Sequence, residues 1–155
     1  MKRTIVTAVT TAIVTAAIAI ACFAGCAKKS VKQTATAYLN QEGNTITATV
    51  DLSDGYSCEF ARGAIYLYDQ EIKDGVESVV IATTLDEEVF NDYLATAESA
   101  ADRKDINGGV MYSADGEMIW LCKVGDSAYF GIFAENATAA QMEKYIARFS
   151  VVPAI

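Results

Sequence analysis

Most of the catalytic motifs that can be recognised in a sequence are missing from this chain. It contains no histidine among its 155 residues, so Ser-His and Cys-His nucleophiles and the usual catalytic zinc sites cannot be built from it alone. It has no Ser-x-x-Lys, no Walker-type phosphate loop, no Gly-x-Gly-x-x-Gly and no Cys-x-x-Cys. We therefore expect no cofactor, no metal and no catalytic residue.

Carboxylates are the remaining side chains that could perform acid-base chemistry. Two of them flanking a cleft can hydrolyse a glycoside without histidine, so a small hydrolase of the cell envelope is the alternative function. The chain has 20 Asp and Glu residues, and nothing in their spacing selects a pair. Solvated surface is the expected role for carboxylates in such an acidic sequence.

Two oxygen-rich segments have the composition of cation-binding loops but not the spacing. In Asp69 to Glu77, Asp74 and Gly75 fall one place late for an EF-hand pattern, and a lysine interrupts the acidic residues. The other segment contains Asp102, Asp105 and Asn107 and fits no better. We interpret both segments as polar surface loops.

The N-terminal residues have the composition of a secretory signal. Lys2 and Arg3 precede an apolar run from Thr4 to Ala24, and small residues come before Cys26. Ending on Phe23-Ala24-Gly25-Cys26, the segment resembles the signal peptide of bacterial lipoproteins. The resemblance implies cleavage before Cys26 and a diacylglycerol on its sulfur. An uncleaved anchor and a cut without lipidation remain as alternatives, since the apolar run is nearly long enough to span a bilayer.

The resemblance implies that the mature protein lies on the outer face of the bacterial cell membrane, or in the periplasm or outer membrane where the cell has one. Its expected partner is the membrane, to which the lipid on Cys26 would attach it. Loss of residues 1–25, which hold Lys2 and Arg3 but no acid, changes the formal charge from −8 to −10. So acidic a domain argues against binding nucleic acid.

Residues 26–44 are predicted to be the lipidated cysteine and a flexible tether, and residues 45–152 a single domain.

Export makes a disulfide between the two remaining cysteines chemically accessible. Cys58 shares one face of its predicted strand with Tyr56 and Phe60, and Cys122 shares a face with Trp120. The pattern therefore places both thiols in the core. Either they are bridged, or they pack as two small hydrophobic side chains.

Strict alternation of apolar residues predicts strands over Thr45–Leu52 and Tyr56–Ala61, joined into a hairpin by Ser53-Asp54-Gly55. The same reasoning predicts five further strands, which span Ala64–Tyr68, Ser78–Thr83, Val110–Ser113, Glu117–Val124 and Ser127–Ala134.

Two helices are predicted from capping boxes followed by apolar stripes. Thr84 with Glu87 begins the first, which lasts to about Ala100, and its core-facing stripe is Leu85, Val89, Tyr93 and Ala97. Thr138 with Gln141 begins the second, which lasts until Pro153 and carries the stripe Met142, Tyr145, Ile146 and Phe149.

The order strands, helix, strands, helix predicts an α+β fold on a mainly antiparallel sheet of about six or seven strands. It is similar to the order in the Mog1/PsbP-like α-β-α sandwiches, with Asp54-Gly55-Tyr56 in the place of that family's glycine-aromatic turn. This resemblance bears on the fold alone.

Two predicted strands, Ala64–Tyr68 and Ser127–Ala134, are apolar on both faces. The face opposite to the core then carries four aromatic residues, Tyr66, Tyr68, Tyr129 and Phe133. One helix on each face of the sheet would bury them, whereas two helices on the same face would leave an aromatic surface that could bind a protein or a glycan. The sequence thus favours a membrane-tethered, non-catalytic binding or accessory domain over a hydrolase, with a structural role as a third hypothesis.

Overall fold

The alternating segments do form strands, and they lie in two sheets. The computed structural model describes residues 16–17, 33–41, 44–69 and 79–154. In these ranges the strands are β1 (Ala16–Ala17), β2 (Thr34–Gln41), β3 (Asn44–Asp51), β4 (Ser57–Ala61), β5 (Ala64–Tyr68), β6 (Val79–Leu85), β7 (Lys104–Ile106), β8 (Gly109–Ala114), β9 (Glu117–Val124), β10 (Ala128–Glu135) and β11 (Phe149–Pro153). The helices are α1 (Glu87–Ser99) and α2 (Ala139–Arg148).

The larger sheet has seven strands in the order β4-β5-β6-β10-β9-β8-β7. The smaller sheet has the order β1-β2-β3-β11, in which β1 contributes only two residues. Every pairing in both sheets is antiparallel. The predicted α+β fold on a mainly antiparallel sheet is therefore confirmed.

The larger sheet separates two hydrophobic cores. One face packs against the smaller sheet and α2, and this core contains the α2 residues Met142, Tyr145 and Ile146. The other face packs against α1 and buries Phe90 and Ala97. Alternate residues of β9, such as Trp120 and Leu121, face the two cores in turn, as the twofold period of a strand requires. One helix thus lies on each face of this sheet.

The tether prediction is wrong for the part of residues 26–44 that forms β2. Residues Thr34–Gln41 pair along their whole length with β3. Ala35, Ala37 and Leu39 point inward, with exposed fractions of 4%, 0% and 1%. The alternation is present in the sequence, but two of its three inward residues are alanines, which give a weak apolar signal. The folded domain begins before residue 45.

The predicted hairpin between the first two strands is also wrong. β3 belongs to the smaller sheet and β4 to the larger one. The Asp54-Gly55 turn, with φ angles of 66° and 86°, therefore carries the chain from one sheet to the other. Arg148 binds this crossing segment, through Nη1 to the Ser53 carbonyl at 2.8 Å and through Nη2 to the Asp54 carboxylate at 3.0 Å.

Both helices exist, but their ends differ from those predicted. The cap of α1 is Asp86, whose carboxylate accepts from the Val89 N–H at 2.7 Å, and Thr84 belongs to β6. On α2 the predicted capping box of Thr138 and Gln141 is confirmed. α2 ends at Arg148, and the chain from Phe149 onward forms β11, which pairs with β3. The extra strand β7 was also not predicted, because its three residues are too short to show alternation.

Candidate functional site

Helix α1 covers two of the four aromatic residues singled out from the sequence. Tyr129 is only 9% exposed, and its ring centroid lies 4.6 Å from that of Phe90. Phe133 is half-buried, and its ring centroid lies 5.4 Å from that of Tyr93 on α1. Because one helix lies on each face of the larger sheet, the arrangement that would expose all four rings is not present.

The other two aromatic residues, Tyr66 and Tyr68, lie on the part of the same face that β4, β5 and β6 form. Both are half-buried, so part of each ring reaches the surface. Tyr66 stands between Glu59 of β4 and Ile81 of β6 in the strand register. The Tyr68 hydroxyl donates to Glu59 Oε2 at 3.3 Å. We refer to Glu59, Tyr66, Tyr68 and Ile81 as the tyrosine face.

Of the two alternatives for the cysteines, the disulfide is wrong and the pair of unbridged thiols is confirmed. Cys58 and Cys122 are both unbridged thiols, although both face the core between the sheets as expected. Cys58 lies on β4 and Cys122 on β9, and β5, β6 and β10 run between them. Four interstrand spacings of about 4.8 Å separate these strands by roughly 19 Å, whereas a disulfide needs Cα atoms within about 7 Å.

Burial makes both thiols poor nucleophiles. Desolvation raises the pKa of Cys58 above its ordinary value and raises the pKa of Cys122 to about 12. Because its pKa is so high, Cys122 stays protonated at neutral pH. A thiol is nucleophilic only as the thiolate. The two cysteines therefore pack as small hydrophobic side chains.

The oxygen-rich segments do not assemble a cation site in the part of the chain that the structure describes. Asp102 accepts from the Ser113 N–H and from its hydroxyl, at 2.5 Å for the latter, and these bonds lower the pKa of Asp102. Asp105 instead pairs with Arg103 at 3.5 Å. No group of three His, Cys, Asp or Glu side chains converges on one point within the described residues. Residues 70–78, which hold most of the Asp69 to Glu77 segment, lie outside these residues, and so does Cys26.

Arg148 forms a polar cluster between the two sheets that the sequence did not reveal. Its guanidinium carbon lies 3.6 Å from the centroid of the Tyr56 ring. The Tyr56 hydroxyl donates to Asp69 Oδ2 at 3.2 Å, and the Tyr145 hydroxyl reaches the same oxygen at 3.3 Å. Burial, followed by the Asp69 charge, raises the pKa of Tyr56. The cluster joins the crossing segment to α2. Apart from the buried Arg148 Nε, which has no hydrogen-bond partner among the described residues, its polar groups are engaged with one another, which is typical of a structural role.

Two shallow grooves lie on the two faces of the larger sheet, near Cys122 and Lys123 of β9. One, of about 250 Å³, is bounded by Trp120, Ile146, Phe149 and Pro153. The other, of about 480 Å³, lies against α1 and is bounded by Phe90, Leu94 and Leu121. Lys123 and the protonated Cys122 border both grooves. They offer apolar surface but no pair of catalytic groups among the described residues.

Comparison with protein families, curated proteins and solved structures finds no match to this chain. Neither helix in the described ranges is long and apolar enough to cross a bilayer.

Proposed function

We propose that this chain is an exported bacterial lipoprotein whose small α+β domain is held at the membrane surface and binds a ligand without catalysis. The observation that carries the anchoring is the Phe23-Ala24-Gly25-Cys26 ending of the apolar leader. A diacylglycerol on Cys26 supplies two acyl chains, which attach a protein stably, whereas one chain binds reversibly.

The absence of histidine from the whole sequence supports a binding role over an enzymatic one. Most of the described carboxylates also favour binding, because they hydrogen-bond to neighbouring side chains or lie on the surface, and the partly buried Glu117 lines neither groove. Asp69 accepts from two tyrosine hydroxyls, and Asp54 pairs with Arg148. Such engaged carboxylates are less suited to acid-base catalysis than a pair held in a cleft.

The tyrosine face is the part of the described surface that suits a ligand best, and we propose a glycan as that ligand. A pyranose can stack its C–H bonds on a tyrosine ring, and its hydroxyls can donate to the Glu59 carboxylate beside Tyr68. The face consists of four residues, and Tyr66, Tyr68 and Ile81 are each partly buried. A stable protein interface takes about 800 Å² and roughly 20–30 residues from each partner, so this face is too small for one.

Anchoring is tested with Cys26→Ser expressed as the full chain in a bacterial host. The wild-type chain should lose its leader and sediment with membranes. The variant should remain at precursor size or leave the membrane fraction, because no lipid can be attached. Ala27→Ser, which changes the neighbouring residue, is the matched control and should behave as wild type. Unchanged processing and sedimentation of Cys26→Ser would contradict the anchoring.

Glycan binding is tested by co-sedimentation of the detergent-extracted full chain with insoluble chitin and with purified peptidoglycan. Wild type should sediment with at least one of them, and the double variant Tyr66→Ala/Tyr68→Ala should lose most of this binding. Tyr38→Ala, which removes a 45% exposed tyrosine from the other sheet, should retain it. Absence of wild-type binding to both glycans, or equal binding of both variants, would refute the tyrosine face as a glycan site.

A further inference from the structure

The outer edge of β2 differs from the other sheet edges in the part of the chain that the structure describes. β4 has five residues and an exposed Glu59, and β7 has three residues, two of which are charged. β11 has five residues and ends in Pro153. Short length, charge and proline are the devices by which proteins prevent an edge strand from pairing with another chain.

β2 has none of these protections. It is eight residues long and contains no charged residue, no proline and no glycine. Its inward side chains are buried in the core, and Thr36 and Tyr38 lie on the outward face with Tyr38 45% exposed. Thr36 also bonds through its hydroxyl to the Thr49 hydroxyl of β3 at 3.1 Å. The strand is therefore fixed along one edge by β3, while its other edge can accept a partner strand.

The structure also shows a strand seated on this edge. β1 pairs antiparallel with β2, with Ala16 opposite Ala37 and Ala17 opposite Thr36. β1 lies within the leader, which is removed if the proposed cleavage before Cys26 occurs. The edge of β2 then loses the segment that covers it in the full chain.

We propose that, in the mature lipoprotein, the β2 edge pairs antiparallel with the β2 edge of a second copy of this chain. The inference rests on the proposed anchoring and cleavage. Antiparallel pairing of identical strands creates a twofold axis and uses the same surface on both copies. The two N-termini of β2 lie at opposite ends of the new ladder and are related by that axis, so both lipids can enter a membrane that lies perpendicular to it.

Tethering favours a second copy as the occupant of this edge, and charge favours β2 as the place where two copies meet. The mature chain is acidic, with a formal charge of −10 after loss of Lys2 and Arg3, so two copies repel each other over most of their surfaces. β2 is uncharged and brings no like charges opposite each other across the new ladder. Anchoring in one membrane also confines the copies to a thin layer and raises their effective concentration.

The pairing is tested in intact envelopes with single cysteines on the outward face of β2. Thr36→Cys and Tyr38→Cys are expressed as full chains and treated with a short bis-maleimide. The matched control is Thr47→Cys, which lies opposite Tyr38 on the central strand β3, and the chain without an added cysteine gives the background from Cys58. We expect covalent dimers of the processed chain to be several-fold more abundant for a β2 cysteine than for either control.

A second pair of variants separates pairing from random collision. Adding Tyr38→Lys to Thr36→Cys should remove the dimer, because it brings two like charges together across the ladder. Adding Thr47→Lys to Thr36→Cys should leave the dimer in place. A processed, membrane-bound chain that forms no more dimer at β2 than at Thr47 overturns the pairing but leaves the anchoring intact. A chain that stays at precursor size or leaves the membrane overturns both proposals.

Discussion

Glu117 is the residue whose charge opposes folding most clearly among the described carboxylates. It begins β9 directly opposite Glu135 of β10, and its own turn carries Asp115. Burial raises the pKa of Glu117, and the charges of Glu135 and Asp115 raise it further. An acid whose pKa is raised by folding does not destabilise the folded protein at a pH where it is protonated in both the folded and the unfolded state. The cost grows as the pH rises above its ordinary pKa of 4.5 and is complete above the folded pKa.

We therefore predict that Glu117→Gln stabilises the domain at pH 7. The expected gain in the free energy of unfolding is at most about 1 kcal/mol, the size of a directly opposed cross-strand pair. The gain should shrink as the pH falls and vanish below the ordinary glutamate pKa, where the wild-type side chain is protonated as well. Thermal unfolding at a series of pH values measures it. Asp92→Asn, on the exposed side of α1, is the control and should change stability by less than about 0.5 kcal/mol at every pH. An equal gain at pH 3.5 and pH 7 would contradict the electrostatic origin.

The cysteines show what residue patterns can and cannot predict. Alternation along each strand correctly placed Cys58 and Cys122 on core-facing positions, since the side-chain period of a strand depends only on local sequence. Their distance depends on the order of strands in the sheet. Three strands lie between β4 and β9, and that order is set by pairing between distant segments. No local pattern therefore excluded the bridge.

The elements were predictable where a local signal was strong. The α2 capping box is an interaction within one turn of the chain, and both of its hydrogen bonds are present. For α1 the predicted cap, Thr84, is not the one used, because the helix is capped by Asp86. Thr84 and Asp86 both precede acidic residues, but Thr84 is only 6% exposed and pairs with Phe130 in the larger sheet. Sheet pairing therefore extends β6 and shifts the start of the helix to Glu87.

Strand β11 of the smaller sheet was harder to predict because it pairs with a segment that is distant in sequence. Phe149 continues the helical spacing of Met142 and Tyr145, so a helix that lasts to Pro153 fits the sequence pattern as well as a strand does. Instead, Phe149–Pro153 pairs with β3, about a hundred residues earlier. The core between the sheets can close on this side only if β11 covers β3, and this tertiary requirement overrides the local helical period.

At the scale of the whole molecule, the smaller sheet covers one face of the larger sheet and completes the core between them. Ile46, Ala48 and Val50 of β3 are fully buried in it. β2 and β11 flank β3 on both sides. The Arg148 cluster fixes the segment where the chain crosses between the sheets. The smaller sheet is consequently part of the folded unit.

The folded domain includes β2, so N-terminal truncation should destabilise it only when this strand is removed. A chain that begins at Gln33 should unfold cooperatively, with a stability within about 0.5 kcal/mol of one that begins at Ala27, because no residue of β2 is lost. A chain that begins at Asn44 loses β2 and the burial of Leu39, which alone contributes about 1.5–3 kcal/mol. It also leaves the hydrogen-bonding edge of β3 without a partner and opens the core at Ala35 and Ala37. Since small domains have only about 5–15 kcal/mol of stability in total, we expect it to lose cooperative unfolding. Circular dichroism during heating and in urea compares the three non-lipidated chains, and equal transitions for all three would show that residues 33–43 act as a tether after all.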